Sequence, residues 1–150
     1  MSKKFAAKAF SEADRQKFLE ERHVAVLSVA ADDGRPPASV PIWYDCTPEG
    51  NIRFMTGPSR RKAKLVDKAG VVTLVVQREE LPYQHVIVEG TVVDTVEPTP
   101  PAAQEAIAAR YLGEEGGREY VSRRLDGRES KLYTVRPDRW FTADYSGGPQ

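Results

Sequence analysis

The residues best suited to chemistry in this sequence are cations that gather where a helix is expected to begin. The stretch TGPSRRKAKLVDKAG, residues 56–70, is typical of a turn followed by a short helix with Ser59 as its N-cap. Arg60, Arg61 and Lys62 then fill the first helical turn. The helix dipole favours acidic side chains at that end, so three cations there suggest an anionic ligand nearby.

Phosphate is the anion that this stretch fits best. Thr56 and Ser59 supply hydroxyl donors, and Gly57 leaves backbone N–H groups open to a ligand. Together with the cations, they combine the features of a phosphate site at a helix N-terminus. Basic runs such as this one, which also includes Lys64, are alternatively solvated surfaces, and the sequence by itself leaves both interpretations open.

Few other residues suggest catalysis or metal binding. Cys46 is the only cysteine, and His23 and His85 are the only histidines. We therefore expect no internal disulfide, no thiolate zinc site and no bound metal. No residue identifies itself as a nucleophile or as a proton donor, so the catalytic residues stay unknown at this point.

Charge and composition restrict the class of protein. The chain has 150 residues, 40% of them hydrophobic, which fits a single domain with one ordinary core. Its 22 basic and 22 acidic residues cancel, so we expect no nucleic-acid partner. No apolar run approaches the roughly 18 residues of a transmembrane helix, and no signal peptide is recognisable. We expect a soluble, cytoplasmic protein with no membrane association.

Apolar runs predict six strands, most of them joined by hairpins. The strands are expected at residues 24–31, 37–46, 52–56, 71–77, 85–96 and 131–146. Six short strands connected in this way favour a small barrel, with the run VVTLVVQ as a buried strand. Gly90 inside the fifth strand indicates a bulge or the close approach of another backbone.

Helices are expected to be minor, apart from one principal helix late in the chain. A first helix should begin after Ser11, which acts as N-cap with Asp14 three residues later. The principal helix should lie within residues 99–117, with prolines at its start and glycines after its end, and a short helix should follow at 118–127. Residues 1–10 are expected to form a loose arm.

Three motifs, in this order, resemble the pyridoxamine 5′-phosphate oxidase-like superfamily. They are RFMTGPSRRKAKL at 53–65, VVTLVV at 71–76 and PYQHVIVEGTVV at 82–93. The resemblance extends from about residue 16 to residue 146 and is strongest to the actinobacterial branch of F420-dependent enzymes. It implies a six-stranded split β-barrel like that of FMN-binding proteins, which would hold a flavin or deazaflavin.

The resemblance also assigns residues to the cofactor phosphate. Thr56 matches a Thr at the end of the family's third strand, and Arg61 and Lys62 match the basic pair of the oxidases. Arg60 matches an Arg that the F420 branch often places two positions before the Lys. We therefore expect Arg60 and Lys62 to bind the phosphate, with Arg61 or Lys64 assisting.

Candidates for contacts with the cofactor ring come from three parts of the chain, although each also has an ordinary structural role. Either Gln84 or His85 matches the Gln that reaches the flavin ring in the oxidases. The other candidates are Pro41 and Trp43 on the second strand, and Trp140 and Tyr145 on the last strand.

The function that the resemblance implies is a reductase. F420 would carry a hydride to an unsaturated small organic substrate, in a homodimer whose cofactor lies between the subunits. The last strand of one subunit would reach the ring of its partner. FMN in place of F420 is the first alternative, and a non-enzymatic flavin-, F420- or haem-binding protein is the second. Vitamin B6 oxidation is not expected, because the tail YSGGPQ lacks the basic, histidine-containing segment of the oxidases.

Overall fold

The computed structural model of the chain describes residues 7–124 and 129–147. The elements are α1 (Glu12–Glu20), β1 (Ala25–Val29), β2 (Ala38–Ile42), β3 (Asp45–Cys46), β4 (Ile52–Thr56), α2 (Arg61–Ala69), β5 (Val71–Arg78), β6 (Gln84–Val96), α3 (Pro101–Arg124) and β7 (Lys131–Asp144). The strands form one antiparallel sheet in the order β2-β1-β5-β6-β7-β4-β3. The protein is therefore mainly β, as predicted.

The sheet has seven strands in the described part of the chain, where the sequence predicted six. The predicted strand at 37–46 divides into β2, which pairs with β1, and β3, which pairs with β4. The division falls at Trp43 and Tyr44, because the Tyr44 N–H donates to the Tyr111 hydroxyl at 3.1 Å and leaves the ladder. The two halves become opposite edges of an open sheet, so the closed six-stranded barrel is not confirmed.

The main core lies on one face of the sheet and is closed by α1 and α2. Burial alternates along β1 and β5, so the run VVTLVVQ, which was predicted to be a buried strand, is buried on one face only. From α1, Phe18 and Leu19 enter the core, and the predicted Ser11 cap is present, with the Ser11 hydroxyl accepting from the Asp14 N–H at 3.1 Å.

β6 and β7 cross at a bulge beside Gly90, as the sequence predicted. The pairing register shifts between Glu89 and Gly90. A Cβ added at Gly90 would overlap the Val135 side chain and lie 2.7 Å from the carbonyl oxygen of Arg136. Glycine is required here because the neighbouring backbone occupies the space of a side chain.

α3 differs from its predicted extent. It runs through Pro101–Arg124 with a break at Gly113, whose φ of 80° and ψ of 171° are not helical. Gly116 and Gly117, predicted to follow the helix, lie inside its second half. A Cβ at Gly117 would come within 2.9 Å of the Ala109 Cβ, so the glycine allows the two halves to pack closely.

Two side chains of α3 attach it to the rest of the fold. Arg110 donates to the carbonyl oxygens of Leu19, Glu20 and Glu21 at 3.1–3.4 Å, where α1 ends. The Tyr111 hydroxyl donates to the carbonyl oxygen of His23 at 2.7 Å. These bonds hold the first half of α3 against the end of α1 and the segment before β1.

The described part of the predicted N-terminal arm is attached to the sheet. Lys8 and Asp144 exchange two backbone hydrogen bonds, of 2.9 and 2.7 Å. The Phe10 N–H donates to the Thr142 hydroxyl at 3.0 Å. Residues 7–10 are therefore not loose, and the rest of the predicted arm lies outside the described residues. In the part of the chain that the structure covers, no helix combines the length and the apolar character needed to cross a membrane.

Candidate functional site

A cavity of about 780 Å³ lies where β4 ends and α2 begins. Thr56, the last residue of β4, lines this cavity and is 8% exposed. The wall is built from β2, β4, the turn before α2, α3 and the segment before β7. The lining residues are Ile42, Met55, Thr56, Gly57, Pro58, Ser59, Arg60, Lys62, Gln104, Tyr120, Glu129 and Ser130.

The start of α2 opens to this cavity without a side-chain cap. Ser59 is not the N-cap, contrary to the prediction, because the Arg60 N–H donates to the Gly57 carbonyl at 3.1 Å and closes a turn first. Arg60 becomes the N-cap and makes no capping bond, and the first turn carries no acidic residue. Backbone N–H groups of this turn are therefore available to an anion.

The cations predicted to bind phosphate point to two different places, the turn between β1 and β2 and the cavity. Arg61 lies 3.9 Å from Asp33, and Lys68 lies 2.9 Å from Asp32, both in the turn between β1 and β2. Arg61 therefore does not line the cavity, although the sequence had it as an assisting residue.

Arg60 and Lys62 face the cavity instead, and neither forms an ion pair with any described residue within 4.0 Å. Burial lowers the pKa of Lys62, and the neighbouring charge of Arg60 lowers it further. Both causes disfavour the charged form of Lys62. A bound phosphate would reverse the second effect, which makes the pair electrostatically suited to an anion. Glu129 also lines the cavity, as an exposed carboxylate at its edge.

α3 contributes two residues that the sequence interpretation missed, Gln104 and Tyr120. Gln104 is 6% exposed, and its Oε1 has no hydrogen-bond partner among the described residues. A usable signal existed, since Gln104 is a polar residue between Ala103 and Ile107 on the apolar face of the predicted helix. No sequence signal pointed to Tyr120, because the break at Gly113 decides where the second half of α3 lies.

A second, more apolar cavity of about 240 Å³ adjoins the first. The two cavities share Ile42, Met55 and Tyr120, so they form one elongated depression. Pro41 and Trp43, two of the residues predicted to contact a cofactor ring, line this second cavity. The Trp43 ring stacks on Tyr111 with centroids 4.7 Å apart, and this contact fixes the indole against α3.

The remaining ring candidates lie away from both cavities within one chain. Gln84 donates to the Asp144 carboxylate at 3.0 Å, and His85 pairs with Ala143 across β6 and β7. The Trp140 ring lies 4.0 Å below the Arg15 guanidinium. The Tyr145 N–H donates to the carbonyl of Tyr83 at 3.0 Å. Lys64, which was predicted to assist at the phosphate, is exposed on α2 and does not line either cavity.

Other chemistry has little support in the described residues. They contain no group of three or more His, Cys, Asp or Glu side chains placed to hold a metal ion. Burial raises the pKa of Cys46 to about 11, so this thiol stays protonated near neutral pH and is a poor nucleophile. What the arrangement can do is bind an elongated ligand with one anionic end and one apolar end.

No family model matches the sequence, and no curated protein is significantly similar to it. Solved structures do match. An F420 reductase aligns at 22% identity and a TM-score of 0.66, over 84% of this chain and 94% of its own. A conserved hypothetical protein from Mycobacterium tuberculosis aligns at 19% identity and a TM-score of 0.73, over 94% of this chain and 90% of its own. The haem storage protein HutZ from Vibrio cholerae aligns at 16% identity and a TM-score of 0.65, over 88% and 94%.

Proteins with other cofactors share the same architecture. A FAD-binding protein from Mesorhizobium loti matches at 16% identity, and a protein from Listeria innocua named as a pyridoxamine 5′-phosphate oxidase matches at 13%, both with TM-scores of 0.61. Identities of this size establish a common fold and leave the ligand to be argued from the residues. The chain shares the fold of these proteins, and that fold is the one implied by the resemblance of its motifs to the pyridoxamine 5′-phosphate oxidase-like superfamily.

Proposed function

We propose that this protein binds a phosphorylated flavin-type cofactor, F420 in the first instance, and reduces an unsaturated small organic molecule. The observation that carries the proposal is the pair of cations Arg60 and Lys62 at the uncapped start of α2, neither of which forms an ion pair within the described part of the chain. A helix N-terminus with cations and a buried hydroxyl beside it is a phosphate site by its chemistry.

The phosphate would lie in the larger cavity. Arg60 and Lys62 would neutralise its charge, and the Thr56 hydroxyl would donate to one of its oxygens from the floor. Ser59 would add a second hydroxyl at the rim. The Glu129 carboxylate must stay outside contact distance, because it would repel the phosphate.

The ring would extend into the adjoining apolar cavity. Pro41 and Trp43 line that cavity, and Met55 and Tyr120 lie where the two cavities join. A chain that connects ring and phosphate would therefore pass Met55 and Tyr120. Backbone groups of β2, at an edge of the sheet, remain free to hydrogen-bond the polar atoms of the ring.

The bound cofactor would supply the hydride, and the protein would supply binding, orientation and exclusion of water. Trp43 is held by Tyr111, so it forms a fixed wall against which a flat ring can be positioned. The described residues include no activated nucleophile, and the high pKa of Cys46 removes the one thiol from consideration. Such a reaction requires none.

A homodimer with the cofactor between its subunits remains part of the proposal. Val26, Val75, Ile87 and Phe141 are aligned in register across four neighbouring strands, on the face of the sheet opposite the core. Phe141 is 49% exposed. The other three side chains are half-buried, so the row is partly open to solvent. It supports contact with a second copy, since closed two-fold dimers are the commonest symmetric assembly.

The dimer would also account for the four ring candidates that lie away from the cavity. Gln84, His85 and Tyr145 lie where β6 begins and β7 ends, and Trp140 lies further along β7, opposite Val88. In a two-fold arrangement, that end of one subunit would approach the cofactor of the other.

The choice of F420 over FMN rests on the sequence resemblance and on the fold shared with an F420 reductase. The line of lysines expected to follow an acidic tail is weakened, because Lys68 is paired with Asp32. Lys64 is exposed and can still meet such a tail. FMN therefore stays the alternative cofactor, and the haem storage protein among the structural neighbours keeps haem as a third ligand to test.

The test is a titration of the ligand-free protein with FMN, with F420 of different tail lengths, and with haem. We expect F420 to bind most tightly, with longer tails favoured at low salt and the difference shrinking as salt screens the charges. Tighter binding of FMN than of every F420 form would support the FMN alternative. Oxidation of reduced F420 by a cyclic enone, followed by absorbance, then tests the reductase activity itself.

A further inference from the structure

The amide of Gln104, in the first turn of α3, is buried at the wall of the larger cavity with one polar atom unpaired. Its Nε2 donates to the carbonyl oxygen of Thr99 at 3.2 Å. A carbonyl oxygen can only accept, so this bond fixes which end of the amide is NH₂. Oε1 must be the other end, and it has no partner among the described residues.

An acceptor buried in this way is unfavourable unless a donor reaches it. Folded proteins pair the large majority of buried polar side-chain atoms, and the exceptions call for an explanation. The cavity beside Gln104 is the space from which a partner can come. That partner must donate a hydrogen bond, which the oxygens of an ionised phosphate cannot do. Gln104 therefore needs a second chemical group on the same ligand.

We propose that Gln104 accepts a hydrogen bond from a hydroxyl group on the chain next to the ligand's phosphate. The cavity would then select phosphate esters of hydroxylated chains over a bare phosphate or haem. Oε1 has less than 1 Å² of accessible surface, so this hydrogen bond would require the Gln104 side chain to turn toward the cavity as the ligand binds. This inference rests on the proposed function, since Arg60 and Lys62 must hold the phosphate end.

The test compares FMN with a phosphoalkyl flavin, which has the same ring and phosphate joined by a five-carbon chain without hydroxyls. Both are titrated into the wild type and into Gln104→Met, which keeps the side-chain length and removes the acceptor. Gln16→Met is the matched control, because Gln16 is a half-buried glutamine on α1 that hydrogen-bonds the Glu20 carboxylate and does not line the cavity. Melting curves establish that each variant is folded.

We expect the preference for FMN over the phosphoalkyl flavin to fall roughly 5- to 10-fold in Gln104→Met, the scale of one hydrogen bond. The phosphoalkyl flavin itself should bind Gln104→Met as it binds the wild type, and Gln16→Met should keep the full preference. An unchanged preference in Gln104→Met would overturn the role of Gln104 while leaving the phosphate site standing. Equal affinity of the wild type for FMN and the phosphoalkyl flavin would also overturn the role of Gln104, because the hydroxyl groups would then contribute nothing to binding. If neither compound nor F420 binds the wild type, both the inference and the proposed function fail.

Discussion

Among the residues that the structure describes, two cations line the larger cavity without an ion pair, and replacing Lys62 by alanine removes one of them. A hydrogen bond between charged groups contributes about 1.5–3 kcal/mol, and the open side of the cavity weakens it by admitting water. We therefore expect Lys62→Ala to weaken binding of FMN or F420 by about 1–3 kcal/mol, or roughly 5- to 150-fold. Arg60→Ala should act in the same direction.

The assay is a fluorescence titration of FMN at fixed ionic strength, because salt screens the interaction. Arg61→Ala and Lys68→Ala serve as comparisons. Each also removes one positive charge from α2, but these side chains lie against Asp33 and Asp32. We expect each to change the affinity by less than about threefold, the effect of a distant, screened charge.

Folding should survive Lys62→Ala. A cation at a helix N-terminus opposes the dipole by roughly a few tenths of a kcal/mol, so its removal leaves stability equal or slightly higher. Equal affinity of the wild type and Lys62→Ala for both FMN and F420 would refute the phosphate site. A loss of the same size in Arg61→Ala would show that net charge, and not the geometry of the cavity, determines binding.

Three further outcomes follow from the same structure. Burial and the charge of Arg60 lower the pKa of Lys62 in the free protein, and a bound phosphate would raise it again. FMN affinity should therefore fall as the pH rises through this lowered pKa, which lies below the ordinary lysine range. A titration above neutral pH should show the decline in the wild type and not in Lys62→Ala. Phe141→Arg places a charge on the partly exposed apolar row, so sedimentation should show monomers in place of a homodimer, and cofactor binding should weaken. A wild type that is already monomeric at micromolar concentration would contradict a cofactor site between two subunits. Gly90→Ala should lower the free energy of unfolding, measured by urea denaturation, by about 1–3 kcal/mol, because the alanine Cβ would overlap Val135 and the carbonyl of Arg136. Unchanged stability would mean that the backbone of the bulge shifts to make room.

Much of the local structure followed from the sequence because it depends on neighbours in the chain. For example, Ser11 caps α1 with its own side chain, as its position three residues before Asp14 predicted. β4 has the predicted bounds because its alternation is regular. By contrast, the strand predicted at 37–46 divides because Tyr111, far away in the chain, binds the backbone of Tyr44.

The candidate site likewise combines features that depend on neighbours in the chain with features that depend on distant contacts. Residue types alone were sufficient to predict phosphate chemistry at residues 56–62, because a hydroxyl, open N–H groups and cations occur together there. Only the tertiary structure decided which cations remain available: Asp33 lies beside Arg61, while Arg60 and Lys62 have no acidic partner among the described residues. It also brought Gln104 to the cavity with an unpaired acceptor, since long-range packing determines which buried polar atoms meet a partner.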